Sequence, residues 1–135
     1  MHITLETDYA VRIVYFLAQS GERVDAGRIA EETGVTLRFS LKILRKLVSG
    51  GVVVSYKGAK GGYELARPPE EISLADVIEQ VEGPYALSRC ISEHDYQCSR
   101  KKLSCGICKF NQVYSDISEM VRKRLQEIKF SQLLE

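Results

Sequence analysis

A mainly α fold with one small β-hairpin is predicted by three observations. Apolar residues recur at helical spacing through most of the chain; only Gly34 and Val35 stand between two of the predicted helices; and a β-branched run with a glycine-rich turn follows at once. The first helix is predicted over 7–19, with Tyr9, Ile13, Phe16 and Leu17 on one face, Thr7 as its cap and Gly21 as its stop. The second starts from Asp25 as cap, runs through Ile29 and Ala30, and ends at Gly34, a residue suited to a left-handed C-terminal position. The third opens at Thr36, runs through Leu37, Leu41, Leu44 and Leu47, and stops at Gly50-Gly51. A connection this tight between two helices marks a helix-turn-helix.

Val52–Lys57 reads as a strand, Gly58-Ala59-Lys60-Gly61-Gly62 as a turn tolerant of positive φ, and Tyr63–Ala66 as the returning strand, closed off by Pro68-Pro69. A helix-turn-helix followed directly by a glycine-tipped hairpin is a winged helix. Ser73 then caps a short helix (Leu74, Val77, Ile78, Val81), with Asp76 placed for a capping box and Gly83-Pro84 at its end. The stretch from Cys90 to Cys108 lacks periodicity and reads as a loop. The last helix is predicted from about Phe110 to Leu134, with Phe110, Val113, Ile117, Met120, Val121, Leu125 and Ile128 along one side. Such a stripe must be buried against something, and in a chain of this size a second copy is the natural cover. Three regions result: a winged helix-turn-helix domain (1–83), a cysteine-rich loop (84–109) and a C-terminal dimerisation helix (110–135).

Bulk properties bound the function. A length of 135 residues suits one compact domain or a small domain with a dimerisation helix, and 44% hydrophobic with 27% charged residues is ordinary for a globular protein. No apolar run approaches the ~18–20 residues of a membrane span. The N-terminus MHITLETDYA is too acidic for a signal peptide, so a cytoplasmic location is expected. The net charge of +1 is unevenly spread: residues 1–67 carry ten Lys/Arg against seven Asp/Glu, and residues 68–135 carry nine against eleven. The basic excess lies with the helix-turn-helix, and Arg38, Lys42, Arg45 and Lys46 stand between Thr36 and Ser49 with no acid among them. A polyanionic partner fits this asymmetry.

In a helix-turn-helix the second helix enters the major groove with its N-terminal residues against base edges. Here those are Thr36, Arg38, Phe39, Ser40 and Lys42. Arg38 suits a guanine edge, Ser40 either partner of a base pair, and Phe39 a thymine methyl. Arg45 and Lys46 are placed for phosphates, and Lys57 and Lys60 at the wing tip for phosphate or minor-groove contact. Two-fold dimers of such modules bind palindromic double-stranded sites.

All four cysteines fall between positions 90 and 108, with seven, six and two residues separating Cys90, Cys98, Cys105 and Cys108. Four thiolates in a reducing compartment suit an iron–sulfur cluster, 2Fe–2S or 4Fe–4S, or a zinc site; a thiol–disulfide sensor is the third option. His94 lies inside the loop as an alternative ligand. No enzyme activity is expected. The chain has no nucleotide-binding glycine motif or arguable Ser/His/Asp set, too little length for a substrate pocket beside a metal centre, and no evident small-molecule substrate. A zinc-stabilised interaction module without DNA binding is the reading from another class.

Thr7-Asp8-Tyr9-Ala10-Val11-Arg12, the helix Leu37–Leu44, the wing Lys57-Gly58-Ala59-Lys60-Gly61-Gly62-Tyr63-Glu64-Leu65 and the late three-plus-one cysteine cluster resemble the Rrf2 superfamily of winged-helix transcription regulators, which has IscR-, NsrR- and CymR-like members. The resemblance covers essentially the whole chain, with IscR closest in function. It implies a homodimeric transcription factor, a repressor of iron–sulfur cluster biogenesis genes, with Cys90, Cys98 and Cys105 as cluster ligands. For the fourth ligand the resemblance offers two positions. IscR-like members carry a histidine just beyond the third cysteine, where this chain has Cys108. NsrR-like members, which sense nitric oxide, use an aspartate near the N-terminus, and Asp8 stands at the matching place. Leu41 occupies a position that is acidic in IscR-like recognition helices, which implies a different operator preference.

Overall fold

The structure, a computed structural model, describes residues 2–99 and 108–135. Helices α1 (Leu5–Ser20), α2 (Ala26–Thr33) and α3 (Leu37–Ser49) precede a hairpin of β1 (Val53–Tyr56) and β2 (Gly62–Leu65). A 3₁₀ turn at Pro69–Glu71, α4 (Leu74–Glu82), the short α5 (Arg89–Ser92), the long α6 (Lys109–Glu127) and α7 (Phe130–Leu133) complete the chain. The mainly α architecture with a hairpin wing and a long C-terminal helix is therefore the one predicted.

Helices α1, α3 and α4 pack around a core of Ala10, Ile13, Val14, Leu17, Ile29, Ile43, Leu44, Leu47 and Val77, all essentially inaccessible to solvent. The caps of α2, α3 and α4 are those expected: Asp25, Thr36 and Ser73 accept from Arg28 N, Phe39 N and Asp76 N, and Ser73 with Asp76 closes a capping box. The start of α1 differs. Thr4, three residues earlier, is the N-cap, and Thr7 is fully buried in the first turn. The reason is tertiary, because the Glu82 carboxylate accepts from Thr4 N and Thr7 Oγ1, each at 2.6 Å.

Strands β1 and β2 are antiparallel, with Val53 opposite Leu65 and Tyr56 opposite Gly62. The hairpin is anchored by a bridge to the α1–α2 connection: Val24 N donates to Tyr63 O at 2.9 Å and Tyr63 N to Val24 O at 2.7 Å. Gly62 makes this approach possible. Its φ is +141°, and a Cβ there would stand 2.6 Å from Val24 O.

The C-terminal helix stops at Glu127, short of the expected Leu134. Ile128 and Lys129 are extended and pair with the start of α4: Leu74 N donates to Ile128 O at 2.9 Å and Phe130 N to Ile72 O at 3.0 Å. This turn drives Phe130 into the core, where it is fully buried. Burying an aromatic side chain outweighs one more turn of exposed helix.

On α6, Phe110, Val113, Ile117 and Met120 keep 56%, 52%, 38% and 71% of their surface exposed. Among the described residues, no helix is long and apolar enough to cross a membrane.

Candidate nucleic-acid interface and cysteine site

Helix α3 divides by face. Ser40, Ile43, Leu44 and Leu47 point into the core, while Arg38, Phe39, Leu41, Lys42 and Arg45 line one shallow depression on the outside. Positions 38, 41, 42 and 45 fall one and two turns apart, so their side chains share a face. Ser40 was expected to read bases, but it is fully buried with its hydroxyl directed at Val35 O, 3.5 Å away. Its place in the sequence is right and its rotation about the helix is wrong. The opposite error concerns Leu37 and Leu41, expected in the apolar face and found 49% and 38% exposed. Thr36 is exposed as the α3 cap, and Lys57 and Lys60 are exposed at the wing tip.

This face is held by contacts between α1 and α3 and by contacts across the wing. Glu6 of α1 reaches Lys46 Nζ at 2.8 Å and Lys42 Nζ at 3.7 Å. The Lys46 hydrogen bond holds the Glu6 carboxyl below the usual carboxylate range. Tyr9 packs edge-on against Phe39 with ring centroids 6.0 Å apart, and Arg12 lies 5.3 Å from the Tyr9 ring while pairing with Asp8 at 2.7 Å. On the wing, the Arg23 guanidinium stacks 3.4 Å from the Tyr56 ring centroid and donates to Lys60 O at 3.1 Å. A hydrogen bond to Glu64 raises the Tyr56 phenol pKa. The pairs that join α1 to α3, and Arg23 to the wing, link residues far apart in sequence, and no local pattern announces them.

Cys90 sits half-buried in α5, its sulfur 2.9 Å from Ser88 Oγ and 3.4 Å from Asn111 Nδ2 in the first turn of α6. Cys108 is the N-cap residue of that helix. The structure thus brings Cys90 beside the N-terminal end of α6, where Cys108 is the N-cap residue. Cys98 is exposed, and Cys105 lies outside the described residues, as does the basic run Arg100-Lys101-Lys102. Among the described residues, no three Cys, His, Asp or Glu side chains are gathered closely enough to hold a metal ion. The donor chemistry, thiols at an electropositive helix end, suits a thiophilic metal centre.

The end of α4 and helix α3 both contact the start of α1. Glu82 ends α4 just before Gly83-Pro84 and the cysteines, and it holds Thr4 and Thr7. Burial raises the Glu82 pKa, but the hydrogen bonds from Thr7 and Thr4 outweigh this and leave it lowered. On the same turn Glu6 and Tyr9 meet α3.

An exposed cationic helix beside a hairpin wing defines a winged-helix DNA-binding protein. The chain belongs to the Rrf2 family, whose model, described as an iron-dependent transcriptional regulator, matches residues 3–135. It is 36% identical over 108 residues to protein aau3 of Rhizobium meliloti, covering 79% of this chain and 70% of that protein. It is 30% identical over 109 residues to the HTH-type transcriptional regulator NsrR of Bacillus licheniformis, covering 79% and 76%. The oxidized form of Staphylococcus aureus CymR superposes with a TM-score of 0.74 at 26% identity, covering 100% of this chain and 97% of that one. Across the curated relatives compared, the match spans 60% to 80% of the relative's length.

Proposed function

We propose that this chain is a homodimeric repressor of iron–sulfur cluster biogenesis genes that reads a palindromic operator through α3 and the wing. In this reading an iron–sulfur cluster on Cys90, Cys98, Cys105 and either Cys108 or Asp8 sets DNA affinity. The observation that carries it is the contact chain just described, in which α4 leads into the cysteine segment, Glu82 fixes the first turn of α1, and that turn touches α3. A group held by the cysteines therefore has a route through α4 to the DNA-facing helix. When bound, the cluster would supply a centre responsive to oxidants, nitric oxide or iron–sulfur supply. The exposed stripe Phe110, Val113, Ile117 and Met120 supports dimerisation by offering α6 to a second copy.

Thr36, Arg38, Phe39 and Lys42 are assigned to base edges, and Arg45, Lys46, Lys57 and Lys60 to phosphates. Arg38→Ala is expected to weaken operator binding about 5- to 150-fold, the ~1–3 kcal/mol of a bidentate base contact, and to relax specificity at one position. Arg45→Ala should weaken operator and scrambled duplexes by equal factors. Fluorescence anisotropy on both duplexes measures this.

Anaerobic reconstitution with iron and sulfide, followed by absorption spectroscopy, tests the cofactor. No cluster chromophore sinks the cluster reading, and stoichiometric zinc without DNA binding would favour a zinc-stabilised interaction module. The NsrR-like alternative, a nitric-oxide or redox sensor, draws on the similarity to that regulator and on the position of Asp8. Asp8→Ala abolishing the chromophore while Cys108→Ala retains it selects Asp8; the reverse result selects Cys108. Asp8 pairs with Arg12 on its own helix at 2.7 Å, a contact that ligation by Asp8 would have to give up.

A further inference from the structure

The four cations of α3 fall into two electrostatic classes. Lys42 and Lys46 share one carboxylate, Glu6, which is 23% exposed and reaches them at 3.7 and 2.8 Å. Among the described residues, no carboxylate pairs with Arg38 or Arg45. Lys46 is held against Glu6 with 37% of its side chain exposed, whereas Lys42 keeps 58%. The same helix turn that binds these lysines is the one Glu82 ties down.

We infer that Glu6 is a specificity-determining residue that acts through Lys42 and Lys46, restraining their attraction to phosphate so that unfitting duplexes gain little from them. The inference rests on the DNA-binding reading above and deepens it. Phosphate attraction is independent of sequence and supplies essentially all non-specific affinity. A phosphate that takes Lys46 must displace the Glu6 carboxylate paired with it at 2.8 Å, and Glu6 itself repels the backbone. On any random duplex that cost stands uncompensated. On an operator, base contacts by Arg38 and its neighbours bring α3 deep enough into the groove for the lysines to change partners. Glu6 therefore subtracts more from non-specific than from specific binding.

The test uses the full-length chain and two duplexes, one recovered from a randomised pool by selection on the wild-type protein and the other its scrambled counterpart. Anisotropy titrations across a salt series give the slope of log affinity against log salt. Glu6→Gln is expected to steepen the slope on scrambled DNA by about 1–2, as each freed lysine neutralises another phosphate. Scrambled DNA should bind roughly tenfold tighter at low salt and the selected duplex only two- to threefold tighter, so the ratio of the two falls severalfold. Adding Lys46→Gln to Glu6→Gln should return the slope toward wild type, an outcome that a merely structural role for Glu6 does not produce. Should Glu6→Gln fail to fold, single lysine and arginine variants of the wild type serve instead. Lys46→Gln should lower the slope by less than half as much as Arg45→Gln. An unchanged slope and ratio in folded Glu6→Gln, or equal losses for Lys46→Gln and Arg45→Gln, overturns the inference while leaving the DNA-binding reading intact. Wild-type protein that selects no duplex overturns both.

Discussion

Phe130→Ala is expected to cost about 4 kcal/mol, the range for removing a fully buried phenyl ring from a packed core. The ring has no solvent exposure and lies in the same cluster as Ala10, Ile13, Ile43 and Leu47, so the void would open in the centre of the molecule. Total stability of a domain is only ~5–15 kcal/mol, and the loss should lower the melting temperature by roughly 12–20 °C. The backbone of this segment is independently held by Leu74 N to Ile128 O and Phe130 N to Ile72 O, which limits the collapse that could refill the space. Phe130→Leu, which keeps much of the volume, should cost ~1.5 kcal/mol or less. Calorimetry on the two variants checks the contrast. A Phe130→Ala protein melting within a few degrees of wild type would mean that the C-terminal segment does not plug the core.

Gly62→Ala carries the second-largest expected effect, about 3 kcal/mol, combining a positive φ with a backbone collision. The new methyl would lie 2.6 Å from Val24 O and 2.8 Å from Val24 C, and neither can swing aside as a side-chain terminus could. Relief requires Tyr63 to part from Val24, which frees the wing from the helical body. Two readouts follow. The amides of Val24 and Tyr63 should lose protection from hydrogen exchange, and DNA binding should lose the wing's phosphate contacts, a slope shallower by about 1–2 if Lys57 and Lys60 no longer reach the backbone. Gly58→Ala is the control: its φ is +94°, but a Cβ there meets nothing within 4 Å, so only conformational strain of about 1 kcal/mol is expected. Equal effects at the two glycines would show that crowding against Val24 is unimportant.

What could be read from the sequence was local. Asp25, Gly34 and Thr36 announce two helix starts and an end because capping and left-handed termini are decided within a few residues. Ser73 and Asp76 do so for the same reason. The wing was legible because β-branched residues flank a turn whose glycines have one economical use. Rotation about an axis was harder. The α3 sequence is apolar at Leu37, Leu41, Ile43, Leu44 and Leu47, which is more than one buried stripe needs, and only tertiary packing decides that Ile43 and Ser40 face inward while Leu37 and Leu41 face out. The break after Glu127 was hidden because Leu125 and Ile128 continue the helical apolar spacing; what ends α6 is an edge offered by Ile72 and Leu74, over fifty residues away. Thr7 as a cap failed for a similar reason, since Glu82 claims Thr4 and Thr7 together. The stretch from Cys90 reads as a loop in the sequence, yet Cys90 lies on the helical turn α5, because four residues are too few to show a period.

The burial of Phe130 also has a consequence for synthesis. Its core partners on α1 leave the ribosome over a hundred residues before it, and they cannot be fully covered until it follows. At ~5–20 residues per second, α1 to α4 are outside the exit tunnel for some seconds with a phenyl-sized hole among them. During that interval the nascent chain exposes apolar surface and has the winged-helix elements without a closed interior. Translation is thus coupled to packing, since the core shared by α1 and α3 closes only after residue 130 emerges.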